Sequence, residues 1–403
     1  MKPTMAVGLE STLDVWVTFP SLGDFARFAR DYKGCLTKYV KDGYETVAAE
    51  RGDEVSIDGR AKDAQELVRR ARELGAEIKC RLGGNGAQEF AALKTLRSDV
   101  IFIGAISPHQ IIKLPLKIRR LFEGTDFSFA HTSKKYNPIS FILQVQGANR
   151  YILSEGQGRR IGQVRPYLRK LPSLLKQILD KYGRLNMVNL VGWHVLFANG
   201  ISDRDFRLVE GVIKRIRDVT DSPLFTDAGG LAAFDEEERR LLCRIYSLFD
   251  ILSVNEDEVL QVSRAIKAGA KDEFRAMQNI LDSLKRPSTV WLHSLGYQAS
   301  LSTKYERKLL ERAQVAAAAA GAYRVERGAY PTLGELTKRM KIKNFSAKGL
   351  KITQYATTKY GGRIGAAELI VTPCYGAKNF TSTVGAGDTA AAAYTYVIAG
   401  GKL

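Results

Sequence analysis

The feature that most constrains this chain is a rhythm. Short runs of apolar and β-branched residues alternate with amphipathic helical stretches over nearly the whole length. TMAVGLE reads as an opening strand. DAQELVRRARELG reads as a helix with Leu67, Val68, Ala71 and Leu74 on one stripe and Gly75 as its stop. EIKCRLGG is a strand entering a glycine turn, and SDVIFIGAI is a strand followed by a helix in SPHQIIKLPLKIRRLF. The middle repeats the pattern: NMVNLVG before SDRDFRLVEGVIKRIRDV, PLFTDAGG before DEEERRLLCRIYSLF, DILSVN before EDEVLQVSRAIKAG, then TVWLHSLG. Strands that are almost continuously apolar need cover on both faces. This predicts an α/β fold: a doubly wound, mostly parallel central sheet with helices on both sides.

Two regions break the rhythm. Residues from about Val15 to Ser56 and from Phe127 to Gly158 carry strand-like pieces, such as PISFILQV and NRYILSEG, without a clear helix between each pair. They are expected to form a small β-containing lid. The division is then 1–14, 57–126 and 159–403 for the large α/β domain, with 15–56 and 127–158 for the lid. The alanine-rich ERAQVAAAAAGAYRVERG has the propensity of a buried helix.

Composition narrows the class. The 45% hydrophobic and 26% charged residues are globular values. Cys35, Cys80, Cys243 and Cys374 form no CxxC pair, so neither a disulfide framework nor a zinc site is expected and a reducing cytoplasm fits best. The first fifteen residues hold no long apolar stretch and no run approaches membrane-spanning length, so neither a signal peptide nor a membrane anchor is expected. Lys+Arg 61 against Asp+Glu 43 gives a net charge of +18, which attracts polyanions or small phosphorylated ligands.

Four short motifs carry chemistry. Near the C-terminus, Gly385-Ala386-Gly387-Asp388 opens a helix after a strand-like run. Backbone N–H groups of Gly385, Ala386 and Gly387 would form an anion hole there, and Asp388 could accept a proton from an attacking hydroxyl. Taken singly, the same residues fit a tight turn with an Asp cap. In SVNEDEV, Asn255 and Glu258 stand three apart at a helix start, where an amide and a carboxylate could hold a hydrated Mg²⁺; acids complementing a helix dipole fit equally. Gly83-Gly84-Asn85-Gly86 is a second strand-to-helix glycine turn, able to bring Asn85 close to sugar hydroxyls or to serve only as a turn. Asp14 is expected just past the carboxyl end of the opening strand, as a hydroxyl acceptor or a cap. Of the histidines only His293 is singled out, because it ends the strand-like run VWLH.

In this order the motifs resemble the ribokinase superfamily of sugar kinases. TVGAGDT (Thr383 to Thr389), RLGGNG, ANRYILSE and AAAAAGAYRVERG resemble, more narrowly, the ADP-dependent glucokinases and phosphofructokinases. The 130 residues between Asn255 and Gly385 suit that branch. The resemblance implies a ribokinase-like domain with a lid, and ADP rather than ATP as donor, with Mg²⁺. It assigns Asp388 as base, Gly385, Ala386 and Gly387 as anion hole, and Gly385, Gly387 and His293 to the nucleotide. Glu258 with Asn255 becomes the water-mediated metal group, and Asp14, Gly84, Asn85 and Gly86 become sugar contacts. The HxE motif of the family is absent; FTDAGG offers Asp227 in place of its Glu, without the His. Lys134, Lys135, Arg159 and Arg160, in or beside the second lid region, are the groups expected to grip a sugar phosphate.

The expected activity is an ADP-dependent kinase of a sugar or sugar phosphate, with ribose 1-phosphate giving ribose 1,5-bisphosphate and AMP as the specific reading. An ADP-dependent glucokinase or phosphofructokinase and an ATP-using ribokinase-like kinase are the alternatives. A basic nucleic-acid-binding protein is the alternative from another class, raised only by the +18 charge. No nucleic acid or membrane partner is expected, and the chain is expected to be a monomer or homodimer.

Overall fold

The computed structural model describes residues 2–133, 138–145, 150–155, 160–197, 200–231, 234–377, 381 and 383–403. Among these, sixteen strands occur: β1 (Thr4–Gly8), β2 (Thr12–Phe19), β3 (Asp53–Ser56), β4 (Glu77–Gly83), β5 (Asp99–Phe102), β6 (Ala105–Ile106), β7 (His131–Thr132), β8 (Ile139–Val145), β9 (Arg150–Glu155), β10 (Met187–Leu190), β11 (Leu224–Asp227), β12 (Ile251–Val254), β13 (Thr289–His293), β14 (Tyr297–Ser302), β15 (Arg363–Ile364) and β16 (Ala367–Pro373).

Nine of them build the large sheet in the order β15-β16-β14-β13-β12-β11-β10-β1-β5. The run from β5 to β13 is parallel throughout, and β14, β16 and β15 add antiparallel strands at one edge. The mostly parallel, doubly wound sheet expected from the rhythm is the one observed. Its strands feed two cores because alternate side chains point to opposite faces. On β1, Met5 and Val7 join one hydrophobic cluster and Ala6 joins the other.

The alanine-rich stretch forms helix Arg307–Arg327, packed against helix Ala386–Ile398. Ala316, Ala317, Ala319 and Ala320 are all fully buried, and only small side chains let two helix backbones lie so close to each other and to the sheet. Trp291 of β13 stacks on Tyr394 at 4.4 Å between centroids, and the Tyr394 hydroxyl meets Ser300 Oγ at 3.0 Å. Such a ring pair adds about 1 kcal/mol beyond area burial. It fixes the last helix on the sheet, and with it the position of that helix's N-terminus.

The second sheet has the order β3-β9-β8-β2-β4. The observed elements correct three expectations. The 15–56 region is not strand pieces alone: it contains helices Leu22–Asp31 and Thr37–Ala48. Ser21 caps the first by accepting from Asp24 N, and Phe25, Phe28 and Ala29 bury its inner stripe. Strand β4 and helix Ala61–Glu73 were allotted to the large domain, yet β4 pairs antiparallel with β2 along its length and the helix packs against both strands. Finally, SPHQIIKLPLKIRRLF is not one helix. It breaks at Pro115 into Pro108–Lys113 and Leu116–Arg119, because proline has no N–H to continue the ladder.

Candidate active site

The carboxyl ends of the parallel strands lie along one edge of the large sheet, where loops lead into helices. Glu10 follows β1, His194 follows β10, Asp227 and His293 end β11 and β13, and Asn255 follows β12. The second sheet faces this edge with alternate residues: Thr12 and Asp14 of β2, Ser140 and Ile142 of β8, Arg150 and Ile152 of β9, and Glu54 of β3 line one cavity. Their neighbours, such as Leu13, Val17, Phe141 and Leu153, point the other way into the core. Period-2 alternation therefore builds one polar and one apolar face on the same strands.

The GAGD turn separates two cavities. Gly385 caps helix Ala386–Ile398 with φ 74°, a left-handed conformation, and a Cβ there would lie 1.9 Å from Gln88 Oε1. Only glycine satisfies both constraints. On one side, Gly385 and Asp388 line the cavity of about 170 Å³ that also holds Glu10, Asp14, Asn85 and His194. On the other, Ala386 and Gly387 line a cavity of about 480 Å³ with Asn255, His293, Ala318 and Leu295. Arg150 borders both, and its Nη1 donates to Thr383 Oγ1 at 3.2 Å. The anion hole is narrower than expected. Ala386 N already donates to Thr383 O at 3.1 Å, which leaves Gly387 and Asp388 as first-turn N–H groups for a ligand.

Asp388 opens into the smaller cavity and is enclosed on its other sides. Burial, and then the charge of Asp227, push its carboxyl up to about 6, against the Asn85 hydrogen bond, His293 and Arg324, which all favour ionisation. Asn85 Nδ2 donates to Asp388 Oδ1 at 2.8 Å, so the amide expected to meet a sugar hydroxyl holds the carboxylate instead. Gly84 lines the cavity beside it. Gly86 does not: it packs under β1, where a Cβ would sit 2.7 Å from the Gly8 carbonyl carbon. Asp14 reaches the cavity from within β2 of the second sheet, not from the end of the opening strand, and accepts from Thr12 Oγ1 at 2.9 Å.

Asp227, His293 and Glu258 form a buried polar group beside Gly387. Burial opposes ionisation of Asp227, but the His293 hydrogen bond and charge outweigh it and hold the carboxyl below its ordinary range. His293 is raised in return, against its own burial. His293 Nε2 lies 3.4 Å from Asp227 Oδ2, which also accepts from Ser253 Oγ at 2.6 Å. Burial and then Asp227 push Glu258 up to about 7. A buried carboxylate raised by the negative charge of another is a donor set suited to a hard cation. Among the described residues no group of three His, Cys, Asp or Glu side chains could hold a metal directly. Asp227 and Glu258 offer the carboxylate oxygens that a hydrated Mg²⁺ takes, although Glu258 Oε2 also accepts from Asn255 N at 2.8 Å. Asn255 does not fit as a ligand. It is the N-cap of helix Glu256–Ala265, and its Oδ1 accepts from Asp257 N at 2.9 Å and Glu258 N at 2.8 Å.

Lys134, Lys135 and Arg159 lie outside the described residues. Arg160 opens helix Arg160–Tyr182, and its side chain lies outside them too. Sequence reasoning passed over Glu10, Glu54, Gln88, Arg150 and His194, all on the smaller cavity. Glu10 Oε1 accepts from Asn85 N at 2.8 Å and so anchors the second glycine turn. Its only sequence signal was a carboxylate two residues past a strand end.

A doubly wound sheet with two cavities meeting at a glycine-led helix N-terminus defines a ribokinase-like α/β protein. A putative ribokinase II from E. coli matches it with a TM-score of 0.52 at 12% identity, over 85% of this chain and 99% of that one. The particular family follows from the sequence: the ADP-specific phosphofructokinase/glucokinase conserved region matches residues 46–397, and the chain belongs to that family. It is an ADP-dependent sugar kinase, a phosphotransferase with an alcohol group as acceptor. A hypothetical ADP-dependent phosphofructokinase from Pyrococcus horikoshii OT3 aligns with a TM-score of 0.72 at 14% identity, covering 99% of this chain and 98% of that one. An ADP-dependent kinase in complex with fructose-6-phosphate and ADPβS aligns at 0.73 and 16% identity, covering 99% and 94%. Curated proteins give no match.

Proposed function

We propose that this kinase transfers the β-phosphoryl group of ADP to a hydroxyl of a sugar phosphate, with ribose 1-phosphate as acceptor and ribose 1,5-bisphosphate and AMP as products. The observation that carries this is the meeting of two cavities at one helix N-terminus, with Gly387 on the side of the larger and Asp388 on the side of the smaller. The larger takes ADP and the smaller takes the acceptor.

Asp388 accepts the proton of the attacking hydroxyl. The new O–P bond forms as the bond between the β-phosphorus and the bridging oxygen of ADP breaks, and AMP leaves with that oxygen. Gly387 N–H and the helix dipole stabilise the transferring oxygens. Arg150, bordering both cavities, lies where it would meet the phosphoryl group in transit and shield it from water. When bound, Mg²⁺ supplies charge neutralisation at the ADP phosphates, with Asp227 and Glu258 as the residues that would hold it through water.

The compact acceptor cavity of about 170 Å³ supports a small monosaccharide. The similar ADP-dependent kinase in complex with fructose-6-phosphate and ADPβS supports a sugar phosphate paired with ADP. Glucose is favoured by a different observation: Glu10, Asp14, Glu54 and Asp388 all border the acceptor cavity, a floor better suited to hydroxyls than to a phosphate. AMP formation from ADP with glucose, fructose 6-phosphate, ribose and ribose 1-phosphate decides between them. The highest kcat/KM is expected with ribose 1-phosphate; a preference for glucose or fructose 6-phosphate rejects that acceptor, and turnover with ATP alone rejects the donor. Asp388→Ala is expected to abolish turnover while ADP still binds.

A further inference from the structure

Arg324 is a buried cation behind the GAGD turn that the reaction as described does not use. It lies near the end of helix Arg307–Arg327 and is 4% exposed. Among the described residues no carboxylate forms an ion pair with it. Its guanidinium stands 4.5 Å from the centre of the Tyr330 ring and donates in three directions. Nη1 reaches Gly328 O at 2.7 Å, which closes the end of its own helix. Nε reaches Val384 O at 3.2 Å, the peptide immediately before Gly385. Nη2 reaches Gln88 Oε1 at 3.4 Å, and Tyr330 Oη reaches the same oxygen at 3.4 Å.

Gln88 sits one turn along the helix that begins at Asn85, and its N–H donates to Gly84 O at 3.0 Å. One planar fork thus ties the backbone entering one glycine turn to the helix leaving the other. The two turns carry Asp388 and Asn85, whose side chains must meet for the 2.8 Å bond between them to form. A buried guanidinium without a carboxylate is costly unless its hydrogen bonds are met. Here they are met by the very backbone and amide that set the spacing of the two turns. A helix C-cap alone would need the Gly328 bond and neither of the others.

We propose that Arg324 is a positioning residue: it braces the Val384–Gly385 turn against Gln88, and so sets the register between Asp388 on the donor-facing helix and Asn85 on the acceptor-facing one. The proposal rests on Asp388 being the base, and the tests separate the two. If Asp388→Ala retains turnover, the reading of the site fails whatever Arg324 does.

The experiment measures kcat and KM per folded site, with the folded fraction counted by ADP titration. Arg324→Met is expected to lower kcat by about 100-fold, the loss a misplacement of about 1 Å produces, with KM for ADP changed less than about threefold. Arg324→Lys, which keeps the charge and one donor, is expected to recover about a tenth of the wild-type rate. A wild-type kcat per folded site in Arg324→Met, with Asp388→Ala inactive, overturns the proposal and leaves Arg324 as a helix cap. Should Arg324→Met fail to fold, Arg324→Lys, Gln88→Ala and the double variant give a mutant cycle. Coupling is expected, with the double variant losing little more than the worse single; strict additivity overturns the brace.

Discussion

Asn85 donates its side-chain amide to Asp388 across 303 residues of sequence, at 2.8 Å. The bond favours the ionised carboxylate, against burial and Asp227, which push it the other way. Asn85→Ala therefore moves the acid limb of the kcat profile upward from about 6 and lowers kcat at neutral pH by about tenfold. A pH–rate profile checks this. An acid limb that stays in place would mean that the amide does not govern the base.

The wild-type pH dependence follows from the same group. As the proposed base, Asp388 must be deprotonated, so turnover is expected to fall as pH drops through about 6. Stability runs the opposite way. A carboxyl raised in the folded state destabilises the fold wherever it is ionised, by about 2–3 kcal/mol above pH 6, and has little effect near pH 4. Asp388→Asn should raise the melting temperature at pH 8, leave it nearly unchanged at pH 4, and be inactive at both. Equal shifts at the two pH values would contradict the burial of an ionised Asp388.

Glu258 is pushed to about 7 by burial and by Asp227, so it contributes strain that a cation would relieve. Glu258→Gln is expected to raise the Mg²⁺ concentration needed for half-maximal turnover by about tenfold, without lowering the melting temperature. Magnesium titration of the variant and the wild type checks this. An unchanged requirement would remove Glu258 from the metal site.

Ala318 lines the larger cavity and is only 2% exposed. Ala318→Leu places an isobutyl group where ADP is proposed to lie. KM for ADP should rise at least tenfold while KM for the acceptor holds, and overpacking should reduce stability by about 1–3 kcal/mol. Initial rates with each substrate varied in turn settle the matter; an acceptor KM that rises in parallel would argue against two separate cavities.

How much of this was legible differed by element. The parallel sheet was, because near-continuous apolar strands such as NMVNL and DILSV can be buried only between two helical layers. The Thr37–Ala48 helix was not; its propensity signal is weak, and it is held by packing Val40, Gly43 and Val47 against the second sheet. The role expected of Asn255 went astray for a local reason. NxxE is also the spacing of a capping box, and the backbone took the amide oxygen.

The sequence by itself determined the alternation that makes the sheet, the glycine-led helix start at Gly385, and Asp388 in its first turn. These depend on residues within a few positions of one another, where period, propensity and backbone freedom are readable. Tertiary structure alone decided that Asp14 enters the cavity from the second sheet, that Glu10 holds the Asn85 turn, and that Arg324 reaches Gln88, 236 residues away. Those relations are set by strand register and helix packing between distant segments. No local pattern encodes them, because the free energy that fixes them belongs to the packed whole.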